Sequence, residues 1–387
     1  MELIYFDHIS GTPLHPLVKE VMIKYIEEGG FGNPSSQHRI GDAAIETLED
    51  ARTKVSALIN AKPEEIVFTS GGTESVNHAI KGVAFARAKK GKHIITSNIE
   101  HQSVSRTLRV LMGMGYQVTA VPVDRYGMID PSDVEKAIRD DTILVTIMHA
   151  NNEIGTIEPI AEIGKITRER GVLLHTDAVV SCGNIPVDVE EMNVDLLSMA
   201  ANQFYGPPGV GALFIKEKTP IYPLIDGGTQ ENNKRAGTQN LIGIVGMAKA
   251  AELARLDMPT RTEHLLSLKR YFLEQLKGID DIVINGHPEK SLPGLVSFSV
   301  EYVEGESMMI MLDEKGICVS TRSACASGSL RASHVLIAIG SDYATAQGTL
   351  LFSFGIDNTK AQIDKAFDVL KDTVAFLRNI SPLYKKK

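Results

Sequence analysis

The sequence predicts an α/β fold, a mainly parallel sheet covered by helices on both faces, joined to a smaller α+β domain. Three observations carry this prediction. From about Leu17 to Ala254, short apolar runs alternate with helical patterns. Polar residues gather where the apolar runs end. After Arg261 the alternation gives way to mixed strands and helices. At 387 residues the chain exceeds what one small core accommodates. A large domain over 17–260 and a small domain from 1–16 plus 261–387 are therefore expected.

The clearest unit is Glu65–Ala88. Ile66, Val67 and Phe68 form a continuous apolar run, which reads as a buried strand. Ser70-Gly71-Gly72-Thr73 reads as a turn. Val76, Ala79, Ile80, Val83 and Ala84 then recur at helical spacing. Further strands are expected at His93–Thr96, Ile143–Met148, Val172–His175, Leu196–Met199 and Gly211–Ile215. In the second part a charged helix is expected from Arg261 to Lys277. Strands near Gly294–Val300 and Gly316–Ser320 follow, with helices near Ser307–Asp313, Ser333–Ile339 and Lys360–Arg378.

Composition narrows the function classes. Hydrophobic residues make up 43% and charged residues 23%, and the formal net charge is −8. That balance gives no support for nucleic-acid binding. The run Lys385, Lys386, Lys387 reads as a solvated tail. No apolar run is long enough for a membrane span, and Met1–Asp7 lacks a secretory layout. Three cysteines, Cys182, Cys318 and Cys325, argue against a disulfide framework and for a reducing, cytoplasmic setting.

In an open α/β sheet, ligands bind beyond the carboxyl ends of the strands. Those ends carry Thr69 to Thr73, Glu100-His101, Asn151-Asn152, His175-Thr176-Asp177 and Ala201-Asn202-Gln203. Each segment alone reads as turn and capping chemistry. Their recurrence at successive strand ends points to a common site. Gly71-Gly72-Thr73-Glu74 opens a helix, where free amides suit a phosphate. Asp177 follows a buried strand, where a carboxylate can pair with a protonated pyridine nitrogen.

The ordered series Phe31 to Ser36 (FGNPSS), Thr69 to Asn77 (TSGGTESVN), His149 to Gly155 (HANNEIG), His175 to Ala178 (HTDA), Tyr205-Gly206-Pro207, Arg235 to Thr238 (RAGT) and Ser323-Ala324-Cys325 resembles the cysteine desulfurases of the NifS/IscS type. These are members of the class V aminotransferase-fold, pyridoxal-phosphate-dependent family. The resemblance runs from Tyr5-Phe6-Asp7 to the C-terminal helix. It implies the fold-type I architecture with a seven-stranded sheet, and a homodimer. It implies that Gly72 and Thr73 hold the cofactor phosphate, with Thr238 reaching it from the other protomer. His101 would stack on the pyridine ring, Asp177 would pair with its nitrogen, and Asn152 would bond its hydroxyl. Cys325 would take sulfur from cysteine as a persulfide.

The chain departs from the family pattern at the chemistry. The family reads Ser-x-Ser-Gly-His-Lys before Tyr-Gly-Pro; this chain reads Ser198 to Gln203 (SMAANQ). The lysine amine bonds the cofactor and later moves protons. Gln203 cannot replace it, because its nitrogen lone pair is delocalised into the carbonyl. Ala200 and Asn202 replace a serine and a histidine used at the phosphate, and Val180 replaces a glutamine near the ring hydroxyl. Leu351 stands where many members have the arginine that grips the substrate carboxylate. Arg322 stands where the cysteine loop usually has glycine. Neither Lys216 nor Lys234 lies at the expected strand end, and both read as surface residues.

Small, polar neighbours surround Cys325, and a thiolate there suits persulfide transfer or iron ligation. Cys182 and Cys318, among apolar neighbours, read as buried packing residues. The expected function is a desulfurase-like component of iron–sulfur cluster assembly that docks an IscU-type scaffold. Cys325 would be a cluster ligand or sulfur carrier, with a 2Fe–2S cluster shared through it. Pyridoxal phosphate would be held weakly, without a covalent bond, at a cleft that includes Gln203. The alternative is an active desulfurase that makes alanine and a Cys325 persulfide.

Overall fold

The computed structural model describes residues 3–321, 332–382 and 384. Elements run in the order β1 (Ile4–Tyr5), α1 (Pro16–Glu27), α2 (Arg39–Leu58), β2 (Ile66–Thr69), α3 (Gly72–Ala86), β3 (His93–Ser97), α4 (Gln102–Gly113), β4 (Gln117–Val121), α5 (Pro131–Ala137), β5 (Thr142–Thr146), α6 (Ile160–Glu169), β6 (Leu173–Asp177), β7 (Leu196–Ala200) and β8 (Gly211–Ile215). They continue with α7 (Leu241–Leu276), β9 (Ile282–Asn285), β10 (Leu295–Val300), α8 (Gly305–Asp313), β11 (Ile317–Cys318), α9 (His334–Ala338), α10 (Tyr343–Gln347), β12 (Thr349–Ser353) and α11 (Lys360–Ile380).

A seven-stranded sheet has the order β2-β8-β7-β6-β5-β3-β4. Only β8 runs against its neighbours. The parallel strands β3, β5, β6 and β7 are buried along their whole length, as a sheet covered on both faces requires. One apolar cluster on this sheet joins Val55, Ile95, Val145, Leu174 and Phe214 to Met247 and Ala251 of α7. Another joins Ile80, Ile94, Leu108 and Leu213. The architecture is thus the mixed α/β one expected, with the parallel sheet at its centre.

Smaller sheets follow. One has the order β12-β10-β9, all antiparallel, and the other pairs β1 with β11 in parallel. Their core holds Ile4, Phe6, Phe272, Phe298, Phe352 and Leu370. The Phe272 and Phe352 rings lie 4.6 Å apart.

The helix expected to begin at Arg261 begins at Leu241 instead and runs through Pro259. A proline inside a helix costs about 3 kcal/mol. Both flanks are anchored: Ala250, Ala251 and Ala254 pack in one core, and Leu265, Leu268 and Phe272 in the other. The edge strand β4 was not expected, because Gln117, Val118, Thr119 and Ala120 are partly or fully exposed and break the apolar run. Strand β9 is likewise half open, with Val283 and Ile284 exposed.

Candidate cofactor cleft

The β2–α3 turn builds one end of a cleft. Thr69 Oγ1 meets Ser75 Oγ at 2.8 Å, and the Ser70 amide donates to Glu74 Oε2 at 2.7 Å. These bonds set the turn. Gly71 has φ of 145°, which side chains rarely adopt. A Cβ on Gly72 would stand 2.5 Å from Val179 Cγ2. The first helical bond of this turn is Ser75 N–H to Gly71 O at 3.1 Å. The amides of Gly72, Thr73 and Glu74 therefore precede the helical ladder and are free for an anion.

Arg235 fixes this end from the RAGT segment. Its Nε donates to Glu74 Oε1 at 2.9 Å. Burial pushes the Glu74 carboxyl up, but the bonds from Arg235 and Ser70 outweigh it and hold the pKa below the ordinary value.

At the end of β6, Asp177 is 6% exposed. Its Oδ1 accepts from the Val179 amide at 3.1 Å. Burial raises its pKa, while the His101 charge and the Val179 bond oppose that rise. Two residues back on the same strand, His175 meets Thr146 Oγ1 at 2.8 Å and Ser198 Oγ at 2.9 Å. Burial drives its pKa down to about 3, so the imidazole is neutral and acts as a strut between strands.

His101 caps α4. Its Nδ1 accepts from the Ser103 amide at 3.1 Å and meets Ser103 Oγ at 2.7 Å, which fixes the ring. Glu100 beside it turns inward. Its Oε1 accepts from Ser97 Oγ at 2.6 Å and from the Met148 amide at 3.0 Å, and its Oε2 has no partner. Burial pushes its pKa up to about 8. Asn151 likewise serves the backbone, accepting from Glu153 and Ile154 and donating to Ile99 O.

A cleft of about 430 Å³ joins Gly72, Thr73, His101, Asn152, Asp177 and Gln203. Ala200, Asn202 and Val180 line it too, so the expected departures share the same space. Ile9, Ser10 and Ser103 also line it. The only signals for these in the sequence are the nearby Tyr5-Phe6-Asp7 and the serine two places after His101. Thr238 lies elsewhere on this chain, exposed in a small pocket with Arg235 and Asn240. Cys325 and Arg322 lie outside the described residues.

Gln203 is 8% exposed, and its Nε2 donates to Ile9 O at 3.2 Å. Leu351 is fully buried in an apolar cluster with Ala150, Val180, Leu292 and Leu295. Among the described lining residues of the cleft there is no lysine. Lys216 and Lys234 are both half-buried and line no part of it. Lys269 is half-buried, and burial of its amine pushes its pKa down to about 8, but its Nζ donates to Ser291 Oγ at 2.7 Å and Leu292 O at 3.0 Å.

Cys182 is fully buried, and burial raises its pKa. Cys318 departs from the expectation of burial. It sits half-exposed at the end of a two-residue strand, with its Sγ 3.8 Å from Asp313 Oδ1. Among the described residues no cluster of three metal-ligating side chains occurs, and no helix is long and apolar enough to cross a membrane.

The donor set fits a phosphorylated pyridine held by hydrogen bonds and charge. The free amides at α3 suit a phosphate. A buried carboxyl lifted by desolvation suits a cationic ring nitrogen. When bound, pyridoxal phosphate supplies a ring that accepts electron density from a substrate.

The family model described as "Aminotransferase class-V" matches residues 4–366. A protein named "Cysteine desulfurase IscS" from Dictyoglomus turgidum is 52% identical over 385 residues, covering 99% of this chain and 97% of that protein. Its namesake from Methanosarcina thermophila is 48% identical over 384 residues, covering 99% and 95%. A solved structure titled "NIFS-LIKE PROTEIN" superposes with a TM-score of 0.91 at 37% identity, covering 97% of this chain and all of that one. The strand order, the cleft at the strand ends and these likenesses agree: the chain belongs to the class V aminotransferase family, among the cysteine desulfurases of the IscS and NifS kind.

Proposed function

We propose that this protein is a desulfurase-like component of iron–sulfur cluster assembly that has given up most or all turnover of cysteine. The observation that carries this reading is the cleft lining. Its strand-end position, where the resemblance sets the cofactor-bonding lysine, holds Gln203, whose amide is tied to the Ile9 carbonyl. Where an arginine would grip a substrate carboxylate the chain has Leu351, buried in an apolar cluster with the cleft-lining Ala150 and Val180.

In this reading pyridoxal phosphate binds without a covalent bond. The Gly72 and Thr73 amides hold its phosphate, Asp177 its ring nitrogen, Asn152 its hydroxyl, and the His101 ring covers one face. Thr238, exposed on its own chain, completes the partner protomer's site in a homodimer. The chain divides into a large domain over 17–260 and a small domain from 1–16 plus 261–387. Cys325 supplies a thiolate to a 2Fe–2S cluster, or carries sulfur to it, on an IscU-type scaffold docked beside the C-terminal segment. Thiolate is a soft ligand suited to such clusters. The free cysteines and the whole-chain likeness to IscS proteins support work in the reducing cytoplasm.

Co-purification with an IscU-type scaffold tests this. Two chains with two scaffold subunits are expected. Cys325→Ser should leave docking intact and change the cluster's spectrum or lifetime, whereas Cys182→Ser should not. A cluster indifferent to Cys325→Ser, or no complex at all, removes the assembly role.

A further inference from the structure

The hydrogen bonds of Gln203 fix which end of its carboxamide is offered to a ligand. Nε2 donates to Ile9 O at 3.2 Å, so the amide nitrogen is turned to the N-terminal segment. Oε1 accepts no hydrogen bond from the described residues, and it is not among the sealed, unpartnered atoms. Gln203 lines both the cleft and a narrower pocket beside it. One of its two N–H donors is thus committed to the backbone, while the carbonyl oxygen remains an open acceptor. The surroundings point the same way. The lining side chains able to carry charge are Asp177 and His101, while Ala150, Val179, Val180 and Ala200 add no polar group.

We propose that this cleft selects the amine or alcohol form of a phosphorylated hydroxypyridine over the aldehyde form. The inference rests on the reading that the cleft holds such a ring without a covalent bond. A lysine would retain the aldehyde by bonding its carbon. With Gln203 that advantage is gone, and the sense of the hydrogen bond decides. An aldehyde oxygen is an acceptor and can draw only on the one neutral N–H that Ile9 leaves free. A hydroxyl donates to Oε1, and an ammonium donates with charge assistance, which is roughly twice as strong.

The test is calorimetric titration of the dialysed full-length protein with pyridoxamine, pyridoxine and pyridoxal 5′-phosphates. Dissociation constants should rise in that order, with about tenfold or more between the first and the last. Gln203→Leu should flatten the order while phosphate-free analogues still bind worse. Gln203→Lys should make the aldehyde the tightest ligand. The proposal is overturned if the wild-type protein binds the aldehyde as tightly as the amine, if Gln203→Leu keeps the preference, or if none of the three binds at millimolar concentration. Cysteine turnover by the same preparation separates the two readings. A wrong order without turnover removes the ligand preference alone, whereas turnover removes the reading of a cleft that has given up desulfurase activity.

Discussion

Gln203 and Leu351 set what the cleft can do at the scale of single residues. An amide bonded to Ile9 O is neither a nucleophile nor a base. Borohydride treatment of the wild-type protein with pyridoxal phosphate should leave no adduct on a cleft lysine, as read by peptide mass spectrometry. Gln203→Lys should give one at residue 203. An adduct on Lys269 in the wild type would contradict this, since burial pushes its pKa down to about 8 and leaves more of its amine neutral. Leu351→Arg would bring a charge into the cluster of Ala150, Val180, Leu292 and Leu295. An uncompensated buried charge costs about 3–5 kcal/mol, so this variant should unfold at clearly lower denaturant concentration. The site was legible in the sequence wherever a motif residue ends a strand, as at Gly72, Asn152, Asp177 and Gln203. It was not legible for Ile9 and Ser10, because they enter from a segment distant in sequence from the strand ends that build the rest of the cleft.

At the scale of elements, the RAGT segment is tied to the sheet by a buried ion pair just ahead of it. Arg52 of α2 bonds both oxygens of Glu231, at 2.8 and 3.1 Å. Glu231 also accepts from the Phe68 amide at 2.9 Å and from Gln239 Nε2 at 3.0 Å. Glu231, Asn232 and Asn233 all have positive φ, so the network holds a backbone that would otherwise relax. Glu231→Gln leaves the buried Arg52 with only the exposed Glu49, 3.2 Å from its Nε, as counter-charge and should lower stability by about 3 kcal/mol in urea unfolding. A loss below about 1 kcal/mol would show that the pair is not the tie described. This network was invisible in the sequence, because its members lie 179 residues apart. The strands β3, β5, β6, β7 and β8 were legible because burial on both faces writes a continuous apolar run. The edge strands β4 and β9 were not, because half of their surface meets water.

For the whole molecule, buried neutral carboxyls set a pH dependence. Burial raises the pKa of Glu100 and of Glu158 to about 8 from an ordinary 4.5. Between those values the folded chain binds more protons than the unfolded chain. Their contribution is therefore fully present below 4.5 and lost as pH rises through about 8. Glu100→Gln keeps the acceptor for Ser97 and Met148 and removes the proton. Its stability relative to the wild type should improve steadily across that window. Subtraction removes the common effect of the buried imidazoles His8, His78 and His149, which burial pushes down to about 4. A constant difference would show that Glu100 ionises normally in the fold.

The same whole-molecule view separates inheritance from activity. The chain keeps the family's sheet. In the proposed reading Gly72 and Thr73 keep the phosphate cradle and Asp177 the ring pairing, while Gln203 in the cleft and the buried Leu351 replace the groups that bond cofactor and grip substrate. Alanine released from cysteine by the purified full-length protein, with pyridoxal phosphate and a thiol reductant supplied, tests this most directly. The account predicts no release above the protein-free control. A robust release that depends on pyridoxal phosphate would contradict it and make the protein a working desulfurase with another base.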